Sequence, residues 1–223
     1  MDKKYQIIAI IGQSGAGKDY FQNATCEMHP LMFHKIISCT TRPRRDNEKE
    51  GVDYHFVQLE DFTRSIINNK MLEATEFRNW FYGTPIESLS LEKINIGVFN
   101  PDGVKKLLQD PRLEVIVIEI VADDKIRLTR ALNRQEDPDC TEICRRFFTD
   151  KEDFANLNFI THTITNNSNE YIQDVFNDEH LLFPCLEHMW RELDPGTAFE
   201  TIVRWEKTMH TKSESEDDKG NIN

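Results

Sequence analysis

Apolar residues along this chain follow two rhythms. Short unbroken runs, Ile7 to Ile11 and Leu113 to Val121, read as buried strands of a parallel sheet, and the β-branched second run suits a central position. Further strands are predicted at Ile36 to Cys39, Val52 to Val57, Ile94 to Phe99 and Phe159 to Thr165. Leu72 to Phe77 and Asn79 to Gly83 pair around a turn. Helices are predicted from near Lys18 up to Pro30, then over Leu59 to Asn69 with Phe62, Ile66 and Ile67 on one face. Others cover Pro101 to Gln109, Lys125 to Arg134 and Glu142 to Phe154, and one starts at Asn169. Strand and helix alternate, so the fold class is α/β, with the residues between Ser38 and Tyr82 forming a small β-rich insertion. Beyond Asn177 the pattern changes. Leu181 to Trp190 and Thr197 to Trp205 predict two helices, and Lys212 to Asn223 a disordered acidic tail.

The first strand runs into Gly12-Gln13-Ser14-Gly15-Ala16-Gly17-Lys18, and a helix opens there. Strand, Gly-rich loop, Gly-Lys and helix make a phosphate-binding P-loop: backbone N–H groups and the helix N-terminus take anionic oxygens, and Lys18 reaches the outer phosphates. The expected ligand carries a polyphosphate, ATP first. The pattern closes on Ser or Thr to ligate Mg²⁺. Here the position is Asp19, whose carboxylate is an oxygen ligand of the kind Mg²⁺ takes.

Composition narrows the class. The 223-residue chain suits one medium domain with an appendage. Its formal net charge of −12 argues against non-specific nucleic-acid binding, so phosphates must be held by local basic clusters. Five scattered cysteines (Cys26, Cys39, Cys140, Cys144 and Cys185) argue against a disulfide framework and for a reducing compartment. Neither they nor the seven histidines show metal-ligand spacing. The start at Met1 leaves no room for a signal peptide, and no apolar run is long enough to span a membrane, so the expected location is the cytoplasm.

Four blocks in order carry a resemblance: the P-loop; Ser38-x-Thr40-Thr41-Arg42-Pro43-x-Arg45 with Gly51-Val52-Asp53-Tyr54-His55-Phe56-Val57; Met71-Leu72-Glu73; and Tyr82-Gly83-Thr84-Pro85. From about Ile7 to Phe176 the chain resembles the guanylate kinase family. The resemblance implies a P-loop parallel sheet flanked by helices over 1–177, a monophosphate-binding insertion at about 38–84 and a helical lid at about 125–150. A helical extension, 178–223, lies outside it. It also implies an acceptor site of Ser38, Arg42, Arg45, Tyr54, Glu73, Tyr82 and Thr84. The chemistry agrees: Arg42 and Arg45, three apart, can grip a phosphate by charge-assisted bonds, and Tyr54 and Tyr82 add hydroxyls. Glu73 can accept two N–H bonds from a guanine edge, and Ser38 and Thr84 offer hydroxyls for O6 and N7. Among Arg127, Arg130, Arg134, Arg145 and Arg146, Arg134 and Arg146 align best with the lid arginines that stabilise a transferring phosphoryl group.

The implied activity is phosphoryl transfer from ATP, with Mg²⁺, to GMP or dGMP, by a monomer or homodimer. Two departures leave alternatives open. Besides Asp19, the positions where the family carries two carboxylates after the Ile94–Phe99 strand are Val98 and Asn100. A deoxynucleoside monophosphate kinase of different or broad base choice is one alternative. A non-catalytic interaction module of the same fold is the other, although such modules erode the P-loop that this chain keeps.

Overall fold

A central strand with a partner on each side organises the molecule. The computed structural model describes residues 4–45, 48–77, 79–134 and 136–168, all within one compact unit, Met1–Asp174. Strand β1 (Tyr5–Ile11) pairs in parallel with β7 (Ile94–Val98) and with β8 (Leu113–Val121). Strands β2 (Phe33–Lys35) and β9 (His162–Thr165) complete the five-stranded parallel order β2-β7-β1-β8-β9. Ile7 to Ile11 are essentially inaccessible to solvent, as an unbroken apolar run with both faces covered should be.

Four helices accompany this sheet. Helix α1 (Lys18–Met28) buries Phe21, Gln22 and Thr25 along one face. In α3 (Pro101–Gln109) the Asn100 carboxamide oxygen caps the N-terminus by accepting the Gly103 N–H at 2.7 Å, Pro101 supplies the preset first turn, and Val104 and Leu107 face the core. Helix α4 (Asp124–Leu132) leads towards α5 (Cys140–Asp153), which Asp139 caps and which buries no residue of its own.

A second, four-stranded sheet has the order β4-β3-β6-β5, from β3 (Cys39–Thr40), β4 (His55–Phe56), β5 (Met71–Phe77) and β6 (Trp80–Pro85). Helix α2 (Leu59–Ile67) packs on it through buried Phe62. The antiparallel register sets Glu73 opposite Thr84 and Cys39 opposite Gly83, so Ser38, Glu73 and Thr84 converge.

The structure corrects two strand expectations. Ile36 to Cys39 is not one strand. The Ile36 N–H still bonds the Ile96 carbonyl, but Gln22 Nε2 then donates to the carbonyls of Ile36 (3.3 Å) and Ile96 (2.9 Å), and the chain crosses to the second sheet. Val52 to Val57 shrinks to His55–Phe56, because Asp53 and Glu50 carboxylates take the Lys49 and Phe56 N–H groups and wind the segment into a turn. The expected helices at and beyond Asn169, and the tail, lie outside the described residues. Among the described residues no helix is long and apolar enough to cross a membrane, and the four described cysteines are free thiols.

Candidate active site

The P-loop leaves the C-terminal end of β1, the customary ligand side of an open parallel sheet. Gly15 stands at φ +80°, where an added Cβ would meet the Arg127 carbonyl at 2.5 Å, and Gly17 caps α1 in the left-handed region. Gly12 and Ala16 lie under the loop, and Ser14, Lys18 and Asp19 face a cavity of about 500 Å³. Lys18 folds back to donate to the Gln13 carbonyl at 3.2 Å, and burial lowers its pKa, a cost that bound phosphate would offset. Asp19, in the first turn of α1, is largely exposed and 4.0 Å from Arg134.

Across the cavity stands a group of arginines. Glu48 holds Arg42 by two bonds, at 2.7 and 3.0 Å, and accepts the Arg45 N–H at 2.9 Å. Burial alone would lower the Arg42 pKa, but the Glu48 carboxylate outweighs it and the pKa is raised. Arg42 also lies 5.8 Å from the ring centres of Tyr54 and Phe56, and the Tyr54 and Tyr82 rings meet edge to face. Burial pushes the Tyr54 hydroxyl up to about 12, so it stays a neutral donor. Arg145 and Arg146, both held by Glu142, reach the same cavity from α5. Burial and the nearby positive charge of Arg42 and of Arg145 lower the pKa of Arg45 and of Arg146 respectively, so this cluster favours an anion.

The far end holds one buried carboxylate. Glu73 is buried to 7 % exposure, and its Oε1 accepts the Thr84 hydroxyl at 2.8 Å, with Ser38 Oγ 3.1 Å beyond. Burial raises its pKa to about 7. Ser38, Thr75, Val98, Phe99 and Asn100 line this end with it, whereas Thr84 sits behind Glu73 rather than on the surface.

The structure therefore brings together in one cavity Ser14, Lys18, Asp19, Ser38, Arg42, Arg45, Tyr54, Glu73, Tyr82, Arg134 and Arg146. Arg127, expected in the lid, instead lies 1 % exposed beneath the loop. It donates to the Ser14 carbonyl (3.0 Å), Asp124 (2.9 Å) and Asp150 (3.2 Å), bonds the Gln13 side chain, and stacks on Phe147 at 4.3 Å. Asp150 of α5 also accepts the Ser14 N–H at 2.6 Å. Arg130 binds the carbonyl and side chain of Asn166, both at 3.1 Å, and Asn166 Nδ2 donates to the Ala16 carbonyl. Beside these, Gly15, Gly17, Ile126, Arg130, Asn133 and Asn167 border a second groove on the outer side of the P-loop. Sequence reading missed Glu48, Asp150 and Asn166, because single acidic or amide residues in polar stretches carry no periodic signal.

A family model described as Guanylate kinase matches residues 4–177. The guanylate kinase of Latilactobacillus sakei subsp. sakei (strain 23K) is 26 % identical over 204 residues, covering 86 % of this chain and 98 % of its own length. That of Listeria monocytogenes serotype 4b (strain F2365) is 28 % identical over 204 residues, covering 88 % and 99 %. The crystal structure of guanylate kinase from Anaplasma phagocytophilum superposes with a TM-score of 0.54 at 22 % identity, covering 79 % of this chain and 85 % of that one, and shares the fold.

Removing the buried guanidinium should strand two carboxylates and a loop carbonyl. Arg127→Met is expected to cost about 3 kcal/mol and roughly 10 °C in melting temperature, read by calorimetry. A shift below 2 °C would show that the network is dispensable.

Proposed function

The chain belongs to the guanylate kinase family, and from that premise we propose that it transfers the γ-phosphoryl group of ATP to a guanine nucleoside monophosphate, GMP or dGMP. The carrying observation is that the P-loop lysine, the arginine cluster and a buried carboxylate share one cavity. ATP would lay its phosphates on the loop from Gly12 to Asp19 and its nucleoside in the outer groove beside Ile126 and Arg130. The acceptor's phosphate would meet Arg42, Arg45, Tyr54 and Tyr82. Its base would reach Glu73 and Ser38, with Thr84 aligning the carboxylate.

An oxygen of the acceptor phosphate attacks the γ-phosphorus in line. A new P–O bond forms as the bond to the β-phosphate oxygen breaks, and ADP leaves. The attacking oxygen is already anionic, so the step asks for no general base. What the protein supplies is position and positive charge: Lys18 on the donor phosphates, Arg42 on the acceptor, and Arg134 and Arg146 from the lid side. Helix α5, which carries Arg146, and the turn after α4, which carries Arg134, would exclude water when they close.

Among the described residues no cluster of three metal-ligating side chains exists, so any cation must draw ligands from the nucleotide and water. Asp19 fits that demand: a hard oxygen ligand at the loop's end, facing the cavity. Mg²⁺ held there would neutralise phosphate charge. Free nucleotides as substrates would suit a cytoplasmic enzyme.

Two measurements test the reading. In a coupled assay of ADP release with ATP, Mg²⁺ and GMP, Lys18→Ala is expected to lower kcat about 1000-fold, and near-normal turnover would exclude the P-loop role. The second follows from Glu73, which meets the base N1–H as a charged acceptor only when ionised. Affinity for GMP should therefore rise as pH climbs through about 7 and level off above it. Glu73→Gln, which swaps an acceptor for a donor, should cost about 100-fold in kcat/KM for GMP and abolish that rise. An unchanged profile would remove Glu73 from base recognition.

A further inference from the structure

We infer that Asn100 sets the base selectivity of the acceptor site, so that the pocket reads a 6-oxopurine through one carboxylate and accepts the hypoxanthine nucleotide as well as the guanine one. The inference rests on the acceptor reading above. Glu73 is the only buried carboxylate among the described residues. Its Oε1 is engaged by Thr84, and its Oε2 and the Asn100 Oδ1 flank the bare α-carbon of Gly103, where an added Cβ would lie 3.3 and 3.1 Å from them. These two side chains bound the same end of the cavity, together with Thr75 and Val98.

The Asn100 amide is committed on both atoms. Oδ1 accepts the Gly103 N–H at 2.7 Å and caps α3, while Nδ2 donates to Thr75 Oγ1 at 3.1 Å. Turning the amide over would set an N–H against the Gly103 N–H and lose the cap. The group therefore offers a base at most a neutral acceptor, and its remaining amide proton repels an amino group. Val98 offers no polar atom. Guanine and hypoxanthine both carry the N1–H that Glu73 accepts and the 6-oxo group that Ser38 can meet. They differ only in the 2-amino group, which finds no second carboxylate. A site rejects an analogue strongly when that analogue leaves a buried charged partner unpaired. With hypoxanthine, Glu73 keeps its N1–H bond. Adenine turns a lone pair at N1 towards the ionised carboxylate and is refused.

The test is kcat/KM for GMP, IMP and AMP at pH 8, for the wild-type protein and for Asn100→Asp, with ATP binding measured by titration. Asp caps a helix as well as Asn does, so the variant keeps its fold. Wild-type protein should use IMP within about tenfold of GMP, with AMP far behind. Asn100→Asp should raise the GMP-to-IMP ratio by about tenfold, through a lower KM for GMP rather than a higher kcat. Rejection of IMP by more than about 100-fold in the wild-type protein, or an unchanged ratio in the variant, would overturn the inference while leaving the kinase reading intact. No turnover with any of the three, with ATP binding preserved, would overturn both.

Discussion

One buried guanidinium holds the P-loop in shape. Arg127 has almost no contact with solvent, and its bonds reach three elements: the P-loop at Ser14 and Gln13, α4 at Asp124, α5 at Asp150. A P-loop must keep its N–H groups turned towards an anion, so its carbonyls point away and need donors. Arg127 and Lys18 supply these at Ser14 and Gln13, and Asn166 at Ala16. The same cation helps anchor α5, which has no fully buried residue of its own, through Asp150 and the Phe147 ring. Loop geometry and lid position are thus one problem with one solution. Asp150 adds a second tie, because its carboxylate takes the Ser14 N–H.

The electrostatics follow a similar logic. A chain of net charge −12 gathers Arg42, Arg45, Arg145 and Arg146 around one cavity, against its overall field. Holding them there without an anion costs energy, visible in the lowered pKa of Arg45 and Arg146. Glu48 relieves part of that cost at Arg42, and the rings of Tyr54 and Phe56 fix its position. The remaining unfavourable charge is what an incoming phosphate can neutralise, with little reorganisation left to do.

What could be read from the sequence was what local periodicity specifies. Strand β8 and helix α3 appear with the expected ends. The first is a buried β-branched run, and the second has an Asn-Pro start that sets cap and first turn together. The P-loop was legible because its glycines are demanded by backbone geometry. The order of the motifs singled out the proposed acceptor residues, and all of them but Thr84 line one cavity. Ile36 to Cys39 misled because an apolar run cannot show that its two halves belong to different sheets. That division is made by Gln22, distant in sequence. Arg127 misled for a related reason. A charged residue on a helix is ordinarily at the surface, and only the folded contacts of Ser14, Asp150 and Phe147 reveal a buried site for it.

The proposed base pocket shows how little net binding a hydrogen-bond chain can supply. Thr84 has one hydroxyl proton, and it goes to Glu73. In the contact between Ser38 and Thr84, at 3.1 Å, Ser38 must then be the donor, which leaves its lone pairs towards the cavity. A 6-oxo group needs that same proton. In the proposed complex Ser38 gives up its bond to Thr84 and makes one to the base, an exchange of like for like. The net gain must come from the N1–H bond to Glu73, a charged acceptor whose burial has already been accommodated by the fold. An adenine amino group would donate to a Ser38 lone pair and leave the bond to Thr84 in place, but its N1 lone pair would lose the Glu73 bond. In the proposed complex recognition is therefore concentrated in one carboxylate, and its protonation state would decide whether the pocket reads the base at all.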